Sequence, residues 1–311
     1  MGLKIMAAVP EQWEEIAMLI YDSTNAWYQK NRGFSIFSGD HLSAMLFCRT
    51  YNAIDPEGSM LIAYDEAAGK IAGSCFVHPR PTHVSLGIMN VHPDYFGKGV
   101  APKILARIVE IAAEQKKPLR LVSSAMNLDS YSLYNRFGFI PYAMYQDMMI
   151  PKFSTNVPLP VDVKAVLPKV RLATLDDVPA IAALEKELAF IERPNDYRYF
   201  IENPDGAWKT WVLEGEGQKL NGVLSSVVDP GSCMLGPGVM RTEAQMLALI
   251  YTALSQLNAS PVFLVPTQCI DAIQTLYSWG ARNTELHVGQ CLGECQAPVG
   301  ITMPTFMPET C

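Results

Sequence analysis

Val91-His92-Pro93-Asp94-Tyr95-Phe96-Gly97-Lys98-Gly99-Val100-Ala101 is the stretch from which the rest of this 311-residue chain is read. Ahead of it an apolar run, Val84, Leu86, Ile88, Met89 and Val91, has the composition of a buried strand. Behind it Ala101, Ile104, Leu105, Ile108 and Ile111 fall on one face of a helix. Pro102 is tolerated there, because the N–H it lacks would have no intrahelical partner in the first turn. Two residues without Cβ atoms therefore stand just before a helix N-terminus. Such a backbone reaches positive φ and turns successive N–H groups toward one point, where the helix dipole also favours an anion such as a pyrophosphate. The spacing is not the Gly-x-Gly-x-x-Gly of a dinucleotide fold, since Pro102 holds the third glycine's place, and it is not a P-loop. Taken alone, the pair also suits a tight strand–helix turn.

A second stretch lies further on. After an apolar strand (Leu119, Leu121, Val122) comes Asn127-Leu128-Asp129-Ser130-Tyr131-Ser132-Leu133-Tyr134-Asn135-Arg136-Phe137-Gly138-Phe139. Its Asn/Asp/Ser cluster suits an N-cap, and Gly138 stands where a C′ glycine ends a short helix. With both stretches in view, residues 3–150 resemble the GCN5-related N-acetyltransferase (GNAT) superfamily. Val-x-Pro-x-x-x-Gly-x-Gly-x-Ala looks like its acetyl-CoA pyrophosphate loop, and Asn127 with Leu133-Tyr134-x-x-x-Gly138-Phe139 looks like its second CoA motif.

Composition sets the outer limits. At 311 residues two domains are expected, and 49% hydrophobic with 18% charged residues suits substantial cores. Apolar runs long enough for a membrane span are lacking, and the opening Met1-Gly2-Leu3-Lys4-Ile5-Met6 carries neither a secretory hydrophobic region nor a myristoylation signal. A net charge of −7 argues against nucleic acid as a partner. Lys98, Lys103, Arg107, Lys116, Lys117 and Arg120 nevertheless gather around the glycine-led helix, a local reversal that suits an anionic cofactor. Seven cysteines, without a zinc-type spacing, point to reduced thiols in a cytoplasmic protein and to no metal.

Taken in order, residues 1–150 read as strand, helix, an aromatic-rich helical or loop segment, three strands, helix, strand, helix, strand: a mixed α/β order for one sheet covered by helices. Residues 151–169, with Pro151, Pro158, Pro160 and Pro168, read as a linker. From residue 170 the pattern restarts. Ala173, Val178, Ile181, Ala182 and Leu184 repeat the places of Ala8, Trp13, Ile16, Ala17 and Leu19, and Leu276-Tyr277-Ser278-Trp279-Gly280 echoes the Leu133–Gly138 segment. This second copy, residues 170–311, has no Gly-x-Gly between Val239 and Met246 and carries Glu243 near its helix start, where a carboxylate repels a phosphate. The expected fold is thus two tandem GNAT-like domains, each a mixed, mostly antiparallel sheet flanked by helices, with the second degenerate.

The resemblance implies acetyl transfer from acetyl-CoA to a primary amine of a small acceptor. By motif position the backbone of Asn90 and Val91 meets the pantetheine, Gly97, Lys98, Gly99, Val100 and Ala101 cradle the pyrophosphate, and Asn127 binds the cofactor or caps its helix. Tyr134 is the implied general acid, since a phenol with a pKa near 10 stays protonated at neutral pH and can donate to a leaving thiolate. Two places depart from the family. Asp94 stands where Arg or Gln is usual, adding negative charge beside the loop. No carboxylate lies on the central strand to serve as base; His83, Ser85 and Asn90 are the polar residues there. The alternative reading is a non-catalytic acyl-CoA-binding or regulatory module. The acidic composition favours a cationic amine as acceptor, and a homodimer is compatible with the sequence.

Overall fold

A computed structural model describes residues 2–56, 58–217 and 219–305. The first half carries β1 (Leu3–Ala7), α1 (Trp13–Arg32), α2 (Met45–Ile54), β2 (Met60–Asp65), β3 (Lys70–Pro79), β4 (Val84–Val91), α3 (Val100–Glu114), β5 (Leu119–Ser124), α4 (Leu128–Arg136) and β6 (Ile140–Met149). The second carries α5 (Val161–Val166), β7 (Val170–Leu172), α6 (Val178–Ala189), α7 (Pro194–Glu202), β8 (Trp208–Glu214), β9 (Leu220–Asp229), β10 (Ser232–Met240), α8 (Glu243–Gln256), β11 (Val262–Pro266), α9 (Ile270–Ser278), β12 (Arg282–Leu292) and β13 (Ile301–Met303). The aromatic-rich segment of the first half resolves into the end of α1 and into α2. By their contacts the described residues form two compact units, 2–120 with 229–232, and 121–228 with 233–305.

In the first unit the strand order is β1-β2-β3-β4-β5, antiparallel throughout except for the last, parallel pair. Alternation along β3 and β4 sorts the residues onto two faces. Gly73 and Val91 pair on one face, where α3 lies; Ser74 and Asn90 pair on the other, where α1 lies. α3 buries Val100, Ile104, Leu105, Ile108 and Ala112, and α1 buries Ile16, Ala17, Leu19 and Ile20. Both are amphipathic helices closing a sheet. Tyr51 of α2 stacks on Phe76 and His78 of β3, with ring centroids 4.1 and 4.4 Å apart.

The second unit runs β5-β12-β6-β11-β10-β9-β8-β7 from Leu121 onward, with β13 against β10. Here the order departs from a simple repeat. β6, the last strand of the first copy, lies antiparallel between β11 and β12 of the second: Met149 pairs with Val262 on one side and with Arg282 on the other. Met148 and Ile150 enter the same core as Trp211, Leu213, Leu249, Phe263 and Leu276. This pairing is why the compact boundary falls after Arg120 rather than near residue 150. The Pro-rich stretch 151–169 contains α5, and its Phe153, Val157 and Leu159 pack on that core as well. A buried ion pair sits among α6 and α7: Glu185 Oε1 accepts from Arg193 Nε (2.8 Å) and Nη2 (2.6 Å) and from the Tyr197 hydroxyl (2.8 Å).

Gly73 sets how closely α3 approaches the sheet. A Cβ there would lie 2.8 Å from Val100 Cγ1 and 2.9 Å from the Asn90 carbonyl oxygen, and the latter is backbone that cannot rotate away. Gly73→Ala is therefore expected to lower unfolding free energy by about 1–3 kcal/mol, the cost of overpacking. A urea midpoint equal to that of the unsubstituted protein would show that α3 has room to shift.

Candidate functional site

β4 carries the candidate site of the first unit. Cys75 pairs with Met89 and Val77 with Leu86, so two steps on β3 match three on β4. A bulge of this kind bends a strand and re-aims its groups. On its other side β4 follows β5 only through Val84↔Leu119 and Ser85↔Arg120. Among the described residues the register ends there, and the outer edge of β4 continues from Leu86 without that ladder.

After Val91 the backbone turns tightly. The His92 Nδ1 accepts from the Asp94 N–H at 3.2 Å and opens a short 3₁₀ turn, Pro93–Tyr95. Gly97 and Gly99 then take φ of 73° and 77°, and Gly99 is the N-cap of α3. A Cβ on either would meet no atom within 4 Å, so conformation and not crowding asks for glycine. No side chain caps α3. The Val100 and Ala101 N–H groups have no intrahelical acceptor by geometry, and Pro102 brings no donor. Residues 97–101 thus form an uncapped helix start with open space at both glycines, which fits a pyrophosphate group.

The charge at Asp94 is not left bare. Its Oδ2 lies 3.0 Å from Lys70 Nζ, and that bond, ahead of the surrounding charges, holds the carboxyl below the usual carboxylate range. The ammonium groups of Lys70 and Lys98 stand 5.3 and 5.4 Å from the centre of the Tyr95 ring, and the Tyr95 hydroxyl donates to Asp65 Oδ2 at 2.8 Å. With His92 N–H donating to the Ala72 carbonyl at 2.9 Å, the loop is tied to the end of β2 and the start of β3 by three separate bonds.

Asn90 uses its side chain on α1, donating to Ser23 Oγ (2.7 Å) and Thr24 Oγ1 (3.2 Å). Only its backbone, like that of Val91, belongs to the strand edge. On the α1 face further back along β4, Ser85 accepts from Arg80 Nη1 and faces His78 on β3 and Arg120 on β5; all four side chains, and His83, are buried. His78 and Arg80 share no motif in the sequence, and Arg120, counted there with the basic residues around α3, is buried opposite Ser85.

Asn127 and Tyr134 lie on α4, counted with the second unit. Asn127 Oδ1 accepts from the Ser130 N–H at 3.1 Å, so its side chain is an N-cap. The Tyr134 ring is buried, 5.6 Å from Phe139, and its carbonyl accepts from the N–H groups of Phe137 and Phe139.

The second copy repeats the parting strands and then closes them. β10 follows β11 in parallel through Met234↔Val262 and Leu235↔Phe263. Beyond that point β13 pairs with β10 antiparallel, Gly238↔Met303, Val239↔Thr302 and Met240↔Ile301. The start of α8 is also closed. Gln245 Oε1 accepts from the Arg241 and Thr242 N–H groups (2.9 and 3.2 Å), and Thr242 Oγ1 accepts from the Gln245 N–H at 3.3 Å. Glu243 accepts the Ala272 N–H at 2.6 Å, at the start of α9. The Arg241, Thr242 and Gln245 donors at this helix start are thus already used by side chains.

The thiols of Cys48 and Cys269 are pushed by burial up to about 12, which leaves no thiolate nucleophile there at neutral pH. Among the described residues no cluster of His, Cys, Asp or Glu is placed to hold a metal ion, and no helix is long and apolar enough to cross a membrane.

The sequence profile of the acetyltransferase (GNAT) family matches residues 20–139. Among solved structures, a putative acetyltransferase from Pyrococcus horikoshii is similar over 98% of this chain and 95% of its own, with a TM-score of 0.73 and 17% identity. A GCN5-related N-acetyltransferase from Sphaerobacter thermophilus gives 0.62 at 15% identity, over 95% of this chain and 98% of that one. A tandem GNAT protein from the clavulanic acid biosynthesis pathway gives 0.60 at 14% identity, over 95% and 100%. No curated protein sequence matches.

His78 gives the first unit a pH signature. Burial, then the charge of Arg80, holds its imidazole well below the ordinary 6.5. The unfolded chain, titrating near 6.5, takes up the proton first. Stability contributed by the neutral ring is therefore complete above about pH 6.5 and lost as pH falls below it. Urea midpoints taken from about pH 8 to about pH 5 should fall more steeply for the unsubstituted protein than for His78→Phe. Equal slopes would mean the ring is free to protonate in place.

Proposed function

We propose, from the premise that residues 20–139 belong to the acetyltransferase (GNAT) family and that the chain has the fold of a tandem GNAT protein, that this is an acetyl-CoA-dependent N-acetyltransferase with one working cofactor site. Acyl transfer is the chemistry of the family; acetyl-CoA as donor and a primary amine of a small molecule as acceptor are the reading argued from this chain. The observation that carries it is the uncapped, glycine-led start of α3, directly after a strand that parts from its parallel neighbour. That combination offers fixed N–H donors to a pyrophosphate and a bare strand edge to an extended, amide-bearing chain.

When bound, acetyl-CoA supplies the activated acyl group. Residues 97–101 hold its pyrophosphate, and the backbone of residues 90–91 holds the pantetheine in extended form. This fixes the reacting carbonyl for an incoming amine nitrogen. Tyr134 is assigned by its motif position to donate a proton to the leaving sulfur. No residue is assigned as the base, because β4 offers no carboxylate. That gap is also what favours the second reading, a non-catalytic acyl-CoA-binding module on the same fold.

Calorimetric titration separates the outcomes. About one acetyl-CoA per chain is expected, lost in Gly99→Glu, which puts a side chain and a negative charge at a position of positive φ. Two sites per chain would overturn the closure of the second copy, and no binding would overturn the transferase reading. With an amine that releases CoA in hand, Tyr134→Phe should cut kcat on the order of 10²-fold with little change in cofactor affinity. Binding without CoA release from any amine would support the non-catalytic reading.

A further inference from the structure

Asp94 stands three residues ahead of Gly97, and beside a phosphate it would be a like charge. The structure gives it another task. Its carboxylate holds the ammonium of Lys70, the first residue of β3 and 24 residues earlier in the chain, at 3.0 Å. The Lys70 and Lys98 ammonium groups stand 5.3 and 5.4 Å from the Tyr95 ring centroid, within reach of a cation–π attraction. Tyr95 is itself a fixed post, buried at 5% exposure, with its hydroxyl on Asp65. Asp94 and the Tyr95 ring, both in the turn that leads to Gly97, thus hold the Lys70 ammonium, and the same ring lies near that of Lys98.

The pair is poorly explained as a device for folding. Asp94 is 68% exposed and Lys70 36%, and an ion pair so open to water adds little to stability. It is better explained as a way to place a donor near the loop. Lys70 and Lys98 bring two ammonium groups to the ring that Asp94 and Asp65 also flank, and an ammonium is a compact, rotatable point charge suited to phosphate oxygens. We propose that Lys70, held in place by Asp94, is a phosphate-binding side chain of the loop and acts with Lys98 on the anionic end of the cofactor. The cofactor's identity rests on the acetyl-CoA reading above; the lysine pair itself requires only a phosphate-bearing ligand at residues 97–101.

The two roles for Asp94 differ in sign. As a bare charge it would oppose anion binding, and its removal would tighten binding. As the holder of Lys70 its removal would weaken it. The test is a double-mutant cycle of Lys70→Gln, Asp94→Asn and the pair, read with two probes. Inorganic pyrophosphate is followed by the amide shifts of Gly97 and Gly99, and acetyl-CoA by calorimetry, each at low and at high salt. Lys70→Gln should weaken both ligands by about fivefold and flatten their salt dependence, with thermal unfolding unchanged. Asp94→Asn should weaken binding by about twofold when Lys70 is present and should not weaken it further once Lys70 is Gln. An Asp94→Asn variant that binds more tightly, or a Lys70→Gln variant indistinguishable from the unsubstituted protein, would overturn the proposal. Pyrophosphate that moves neither glycine amide would overturn it too. If pyrophosphate binds in a Lys70-dependent way and acetyl-CoA does not bind, the acetyl-CoA reading fails and the lysine pair stands.

Discussion

A strand that leaves its parallel neighbour after two residues has to find other partners for its backbone. That constraint occurs twice in this chain, at β4 beside β5 and at β10 beside β11. Backbone groups left without partners away from water cost on the order of 1–3 kcal/mol each, so a parted edge is either wet, paired or reserved for a ligand. The two copies resolve it differently. At β10 the chain pairs its own β13, in register from Gly238 to Met240, and fixes that strand further by a 3.1 Å hydrogen bond between Tyr145 and Thr302. At β4 the register with β3 shifts between Cys75 and Val77, and the register with β5 stops after Ser85. An extended ligand with amide groups would meet there the same hydrogen-bonding demand that β13 meets in the second copy.

The helix that follows each of these strands obeys the matching rule. A helix start has donors that need acceptors, and they come from a side chain, water or a ligand. α8 meets the need internally, with Thr242 and Gln245 capping each other's backbone. α3 begins on Gly99, which has no side chain to cap with, and a Cβ at that position would meet no atom within 4 Å. Glu243, which in the sequence looks like a charge hostile to phosphate, has a partner of its own in the first turn of α9. The second copy is therefore better described as refilled than as damaged: its parted strand edge has acquired β13, and its helix start has acquired side-chain caps.

The sequence made the local architecture legible and the long-range pairing illegible. Strands and helices of the first 150 residues follow the order their periodicity suggests, and the turn between β4 and α3 is where two glycines put it. β10 went unread because Gly236-Pro237-Gly238 has the composition of a breaker, and Pro is tolerated there only by its particular place in the sheet. β13 is three residues long and has no periodicity to show. The 151–169 segment is rich in proline, but its apolar Phe153, Val157 and Leu159 were the sign that it packs. At the site, the glycines were visible because conformation is a local property. The Lys70–Asp94 bond was not, since proximity across 24 residues depends on how the start of β3 meets the loop.

The exchange of final strands decides what a domain means here. A reading by repeats ends the first copy after β6, yet both edges of β6 are occupied by strands that begin at Val262 and Arg282. Met148 and Ile150 at its end lie in a core built from residues after 160, and β12 in turn neighbours β5. Severed at residue 150, the first copy would carry a strand with two bare edges and an apolar end without its core, the combination that leads strands to pair with other chains. The second copy, alone, would lose the strand that separates β11 from β12. Its retention therefore follows from the sheet before any question of ligand arises: a repeat that supplies strands to its neighbour stays in place even after its own cleft has been filled.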